Sequence, residues 1–205
     1  MTGRKPLGEE NHHPDKIDTF GGGKPSEPVV KAAAKLTAGA KALDIGCGEG
    51  RNAIYLAEQG LRVTAFDISV GAVGKLLQLA SHKHVTVNAL VADMREYEFP
   101  GPFGLIISMG CLHLLPRPDW QNVIRHMQDA TVPGGYNVIG ILTNTKPEPE
   151  DLKGYMPGLF KEGELFEQYA SWEIIHKVSF QFRDVHPGGF IHEHAANEII
   201  ARKSV

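Results

Sequence analysis

Residues 43–50 read Leu-Asp-Ile-Gly-Cys-Gly-Glu-Gly, and this octet constrains the fold more than any other stretch of the chain. An apolar run meets an acid, Asp44, and glycines follow at alternate positions, Gly46, Gly48 and Gly50. Glycine lets the main chain turn sharply and lets a ligand approach backbone atoms closely. Helix-compatible residues begin at Arg51, so the octet reads as a strand end, a tight turn and a helix start. Dinucleotide-binding turns carry G-x-G-x-x-G with the pyrophosphate over the helix N-terminus. Arg51 stands where that pattern has its last glycine. A turn of this form suits a nucleoside ligand without a pyrophosphate.

Downstream of the octet the pattern alternates between two periods. Residues 42–45, 61–66, 85–91, 103–109 and 136–142 read as short apolar strands. Residues 52–59, 69–81 and 119–130 have helical character, with Gly60 stopping the first and Ser69 placed to cap the second. A further helix is expected over 26–36, with Ser26 as its cap and Pro28 tolerated in its first turn. Pro133-Gly134-Gly135 reads as a turn. Strands alternating with helices predict an α/β fold: a Rossmann-like, doubly wound, mostly parallel sheet. Residues 172–182 and 191–201 add two closing strands, joined at His186-Pro187-Gly188-Gly189, that form an antiparallel pair at one edge and bring the sheet to seven strands. Residues 143–160 hold Pro147, Pro149 and Pro157 and no clear element, the character of a lid or binding loop. A short helix is expected over 161–169.

A chain of 205 residues with 42% hydrophobic content suits one domain with a sizeable core. Residues 1–25 lack periodicity and read as a mobile arm, leaving 26–205 as the single domain. Net charge is −3, and no basic stripe is visible, which argues against nucleic acid as a partner. No stretch reads as a signal peptide or a bilayer span. Two cysteines, Cys47 and Cys111, fit a reduced cytoplasmic protein better than a disulfide scaffold.

In an open α/β sheet a ligand sits beyond the carboxyl ends of the strands. Asp67 ends the second strand, 21 residues after Gly46, where an acid accepts from both ribose hydroxyls. Asp93 ends the third strand, in reach of an adenine amino group. Residues 108–113 follow the fourth strand and face the reaction centre.

The series Leu-Asp-Ile-Gly-Cys-Gly-Glu-Gly-Arg-Asn, Phe66-Asp67-Ile68, Ala92-Asp93-Met94 and Pro133-Gly134-Gly135-Tyr136 resembles the class I S-adenosylmethionine-dependent methyltransferases. Within that superfamily the stretch from Gly46 to Ala57, and Phe160-Lys-Glu-Gly-Glu-Leu165 followed by Tyr169 and Trp172, resemble the tellurite-resistance methyltransferases and their thiol-methylating relatives. The resemblance spans residues 20–203. It implies S-adenosylmethionine as methyl donor, with S-adenosylhomocysteine as product. Asp44, Gly46 and Gly48, with Cys47 between them in the turn, would hold the methionine moiety. Asp67 would bind the ribose, Ile68 would lie against the adenine, Asp93 and Met94 would meet its edge, and Ser108 would line the pocket near the sulfonium. The implied acceptor is a small soft nucleophile: a thiol, or a selenium or tellurium oxyanion.

For a soft anion, positioning and desolvation suffice, and a general base helps only an acceptor that arrives protonated. His113, His192 and His194 are the candidate bases or anion contacts, with Arg51 and Arg183 as anion partners. His192 and His194 alternate along one strand and share a face. With no third ligand fixed by the sequence, no metal is expected. Phe160, Tyr169 and Trp172 read as lid or core packing. Two other classes stay open: a non-catalytic S-adenosylmethionine-binding sensor or partner subunit, and a nicotinamide-dependent oxidoreductase on a similar sheet. Arg51 and Asp93 count against the latter. The expected assembly is a monomer or homodimer, with no nucleic-acid or membrane partner.

Overall fold

The computed structural model of the chain describes residues 23–185 and 191–205. The expected arm falls almost wholly outside these residues, as does the turn at 186–189. Strands β1 (Lys41–Ile45), β2 (Arg62–Asp67), β3 (Val87–Val91), β4 (Phe103–Met109), β5 (Thr131–Thr143), β6 (Glu173–Val185) and β7 (Ile191–Arg202) form one seven-stranded sheet. Its order is β3-β2-β1-β4-β5-β7-β6. The five strands from β1 to β5 pair in parallel, and β7 runs antiparallel to both β5 and β6. The doubly wound, mostly parallel expectation holds, with the antiparallel pairing confined to one edge.

Helices α1 (Glu27–Ala33), α2 (Arg51–Glu58), α3 (Val70–His82), α4 (Arg117–Ala130) and α5 (Glu164–Glu167) complete the layers. One core packs Val29, Ala53, Leu56 and Leu76 against Val63, Leu105 and Val138. The other packs Trp120, Ile124 and Met127 against Leu43, Ile106 and Ile139. A sheet buried on both faces explains the near-continuous apolar strands.

Local differences from the sequence reading have physical causes. Helix α1 stops at Ala33, and the Ser26 side chain does not cap it. The Ser26 amide instead donates to Asn52 Oδ1 at 2.8 Å, anchoring the start of α1 to α2. Ser69 caps α3 as expected, accepting from the Ala72 amide at 3.2 Å. Pro133-Gly134-Gly135 is not a separate turn. It lies inside β5 as an irregularity, since pairing with β4 jumps from Phe103↔Thr131 to Leu105↔Tyr136. The 161–169 segment yields only one helical turn, α5.

The 143–160 segment, read as a lid or binding loop, takes a definite shape. Phe160 bridges back to Thr143, and its ring stacks on Trp120 at 3.9 Å, a contact worth about 0.5–1.5 kcal/mol beyond the area buried. Phe160 and Tyr169 are fully buried, so these aromatics belong to the core, and Phe160 ties the two ends of the 143–160 loop together. Strand β7 meets the end of β5 at Thr143↔Ala195 but continues against β6 as far as Val185↔Ile191. The β6–β7 hairpin therefore projects beyond the carboxyl edge of the sheet, and carries His192 and His194 with it.

Candidate active site

The glycine turn leaves β1 and enters α2 through three residues of positive φ: Gly46 at 65°, Gly48 at 53° and Gly50 at 88°. Two of them are also sterically fixed. A Cβ on Gly46 would sit 2.6 Å from Cys111 Sγ, and one on Gly50 would sit 2.4 Å from Leu76 Cγ. Around Gly48 there is open space. The turn is thus packed from behind and open in front. Cys111 donates to the Ile45 carbonyl at 3.2 Å and lies 3.0 Å from Ser108 Oγ. Burial pushes the Cys111 thiol up to about 12, and the Cys47 thiol is raised for the same reason. Both cysteines are buried free thiols and behave as packing groups. Ser108 is fully buried behind Cys111 rather than at an open surface.

Asp44 is 2% exposed, and among the described residues its Oδ2 has no hydrogen-bond partner. Burial raises its carboxyl to about 7, against the lowering effect of the Ala53 amide and Arg51. A buried carboxylate oxygen without a partner is costly unless a cationic group completes it. Asp67 is engaged on both oxygens: Gly48 donates to Oδ2 at 2.8 Å and Ser69 to Oδ1 at 2.9 Å. Its carboxylate braces the glycine turn against β2 and leaves lone pairs for a ligand hydroxyl. Ile68, next in line, is 68% exposed, an apolar surface at the strand end. Asp93 is turned onto its own loop, accepting from the Arg95 amide at 2.9 Å and from Arg95 Nε at 3.0 Å. This guanidinium holds the Asp93 carboxyl below the usual range. Met94 reaches the back of the turn, its Cε 3.5 Å from the Gly46 Cβ position. An unpaired carboxylate, an open glycine and an apolar ledge together fit a ligand with an ammonium group, a ribose and a flat base.

His113 lies on a 3-10 turn, Leu112–Leu114, after β4. It is buried, and burial with His194 nearby lowers it to about 4. Its Nδ1 accepts from the Leu142 amide at 3.3 Å, so the neutral ring carries its proton on Nε2. His113 is thus a fixed donor rather than a base. His192 and His194 are both buried, with rings 5.8 Å apart. His192 Nε2 sits 3.0 Å from Asp151 Oδ1 of the 143–160 loop. The three histidines therefore converge at one end of the sheet. Arg183 does not join them: it pairs with Glu193 at 3.1 Å on the opposite, exposed face of the hairpin. Among the described residues no group of three or more His, Cys, Asp or Glu side chains has metal-holding geometry.

A chamber of about 220 Å³ opens beyond the carboxyl ends of β4 and β5. Its floor is Gly110 and Gly140, its walls Met109, Phe180 and Phe182, and its charged groups Arg51 and Glu198. The ring of His194 lies 5.5 Å from Phe182, so the histidine cluster adjoins the chamber. The sequence reading missed Glu198 and the two phenylalanines. The signal was present, because 192, 194, 196 and 198 alternate on one face of β7. A larger cleft of about 470 Å³, bounded by Phe99, Pro102, His126 and Asp129, lies where the chain enters β4 and α4 ends. It is at the amino edge of the sheet, away from the glycine turn, so chemistry rather than size locates the site.

The family model of the tellurite resistance protein TehB matches residues 9–187. The chain belongs to the TehB family. The probable S-adenosyl-L-methionine-dependent methyltransferase TehB of Haemophilus influenzae (strain 10810) is 31% identical over 146 residues, covering 71% of this chain and 50% of that protein. The crystal structure of TehB from Haemophilus influenzae superposes with a TM-score of 0.75 at 26% identity, covering 86% of this chain and 61% of that one. The N-methyltransferase NodS from Bradyrhizobium japonicum WM9, solved with S-adenosyl-L-homocysteine, shares the fold with a TM-score of 0.63 at 18% identity, covering 85% and 83%. The chain spans about half the length of the curated relatives it matches. Among the described residues no helix is long and apolar enough to cross a membrane.

Proposed function

We propose that this TehB-family chain is an S-adenosylmethionine-dependent methyltransferase acting on a small soft nucleophile, a thiol or a selenium or tellurium oxyanion. The observation that carries the reading is the buried, unpartnered Oδ2 of Asp44 beside the open face of Gly48. An amino-acid ammonium placed there would restore the charge that burial suppresses. In this reading Asp44, Gly46, Cys47 and Gly48 surround the methionine end, Asp67 accepts from the ribose, and Ile68 and Met94 flank the adenine. The adenine contact assigned to Asp93 competes with its bonds to Arg95. When bound, S-adenosylmethionine supplies a sulfonium-activated methyl group. The remaining work falls to the protein: to hold the acceptor in line and to exclude water. In this reading the neutral His113, with its proton on Nε2, orients the acceptor, and His194 lies beside it. Two buried free thiols fit a reducing compartment such as the cytoplasm, and a small-molecule acceptor suits a protein acting as a monomer or homodimer.

The test is incubation with methyl-labelled donor and a panel of thiols, selenite and tellurite. Label on a volatile or extractable acceptor product is expected. No transfer above background to any of them, with cofactor bound, would instead indicate a sensor.

A further inference from the structure

Residues 143–160 touch the histidine cluster at two points, and the segment is held in two different ways. Its ends are fixed by buried groups. The Asn144 amide donates to the Phe160 carbonyl at 2.8 Å, and the Phe160 amide donates to the Leu142 carbonyl at 3.2 Å. Fully buried Asn197 of β7 extends this clamp. Its Oδ1 accepts from the Gly163 amide at 3.0 Å, and its Nδ2 donates to Glu162 Oε1 at 3.0 Å. Glu162 Oε2 in turn accepts from Thr145 Oγ1 at 3.0 Å. Gly158 is wedged in place, since a Cβ there would fall 1.8 Å from the Leu115 carbonyl oxygen. Its amide donates to the His113 carbonyl at 3.1 Å.

The middle is held more lightly. Among the described residues, no backbone hydrogen bond joins residues 146–156 to another part of the chain. The amides of Leu152 and Tyr155 donate within the segment, to the carbonyls of Pro149 and Leu152. Met156 is buried, but Tyr155 is 70% exposed, and nothing lies within 4 Å of a Cβ on Gly154. A stretch with few buried apolar contacts and exposed backbone opens at small cost.

Two ion pairs tie this middle down, and both end on consecutive residues of β7. His192 Nε2 lies 3.0 Å from Asp151 Oδ1, and Lys146 Nζ donates to Glu193 Oε2 at 3.2 Å. Glu193 is steadied through its other oxygen, which accepts from Arg183 at 3.1 Å. Consecutive strand residues point to opposite faces, so the segment is gripped from both sides of the hairpin. Asp151 and Glu193 are half-exposed, and pairs of that kind are weak enough to break and re-form. A carboxylate at Nε2 holds the His192 proton on that nitrogen. While the pair stands, His192 is engaged at Nε2 and is not a base there.

Resting on the methyltransferase reading above, we propose that residues 146–156 are a strap that opens and closes the histidine side of the site, and that His192 and Glu193 are its latch. His192 is then a positioning residue: it acts through Asp151 and does not touch the acceptor. Closed, the strap lies between its two attachments at His192 and at the His113 carbonyl, and keeps water from His113 and His194. Open, it admits the acceptor and releases the methylated product. The fixed ends at Phe160 and Asn197 return it to one closed position.

The experiment compares wild type with Asp151→Ala, Lys146→Ala and the double variant, in two readouts. Hydrogen exchange of a peptide covering residues 146–156 should quicken about threefold in each single variant and about tenfold in the double. Exchange in β4 should not change. Unchanged exchange in the double variant overturns the latch. In the second readout, diethyl pyrocarbonate modifies neutral imidazoles, and peptide mapping follows His113 and His194 against exposed His126 at the far edge of the sheet. The double variant should react about tenfold faster at His113 and His194 and no faster at His126. Faster strap exchange with unchanged reactivity at both buried histidines overturns the covering role. A rise at all three histidines would mean general loosening and also overturns it. Neither readout needs a ligand. Failure of S-adenosylhomocysteine to bind wild type by calorimetry would overturn the methyltransferase reading and leave the two strap results to be judged separately.

Discussion

The amide of Gly48 donates to Asp67 Oδ2 at 2.8 Å, joining the turn after β1 to the end of β2. One carboxylate thus shapes the glycine turn and stands where a ribose would be held. Asp67→Ala removes both the brace and the acceptor. S-adenosylhomocysteine affinity should fall at least about 30-fold, the scale of a lost charge-assisted hydrogen bond and a loosened turn. Unchanged affinity by calorimetry would remove Asp67 from the site.

Asp44 couples ligand binding to pH. Its folded-state carboxyl stands at about 7 and its unfolded value near 4. Between those values the folded state holds a proton that the unfolded chain has lost, so the ligand-free protein becomes less stable as pH rises toward 7. The full cost is about 4 kcal/mol. Asp44→Asn keeps the shape without the charge. At pH 8 and without ligand its Tm should exceed wild type by several degrees, while S-adenosylhomocysteine binding is lost. In wild type that affinity should drop about tenfold for each pH unit below 7, because the ammonium needs the ionised acid. A flat affinity profile between pH 5.5 and 7 would exclude the pairing.

The two glycines of the turn should respond differently to a methyl group. Gly46→Ala drives a Cβ to within 2.6 Å of Cys111 Sγ at a φ of 65°. Gly48→Ala meets nothing within 4 Å and bears only the left-handed strain, about 1–2 kcal/mol. Denaturant unfolding should show Gly46→Ala as clearly the more destabilised. Equal losses would mean that the packing of Cys111 behind the turn is unimportant.

His113 contributes a pH dependence of the opposite direction. Its folded value of about 4 lies below the unfolded 6.5, so the unfolded chain binds the extra proton between them. Stability from this group is complete above 6.5 and is lost as pH falls toward 4, by about 3 kcal/mol. In NMR titration the His113 ring should stay neutral at pH 5. A midpoint near 6.5 would place it outside the buried site.

The layers were legible because the sheet is buried on both sides, and each of the first four strands ends within two residues of a glycine or an acid. The proposed cofactor half was legible for the same reason: Asp44, Gly46, Gly48 and Asp67 all lie within a few residues of a strand end, where local sequence fixes position. Pro133-Gly134-Gly135 misled because turn residues also suit an irregular strand, and the choice depends on pairing with Phe103 and Leu105. Arg183 misled because alternation along β6 turns it toward Glu193, on the face away from the histidines. The chamber beyond β4 and β5 was illegible for a different reason. Arg51, Phe182 and Glu198 are brought together by strand order, and β7 enters the sheet between β5 and β6, a placement that no local pattern encodes.

The central claim is that the turn at Gly46–Gly50, Asp44 and Asp67 form a site for S-adenosylmethionine. Calorimetric titration of the purified chain with S-adenosylhomocysteine and, separately, with NADH tests it most directly. The account predicts stoichiometric binding of S-adenosylhomocysteine and no heat with NADH. Binding of NADH with none of S-adenosylhomocysteine would contradict it.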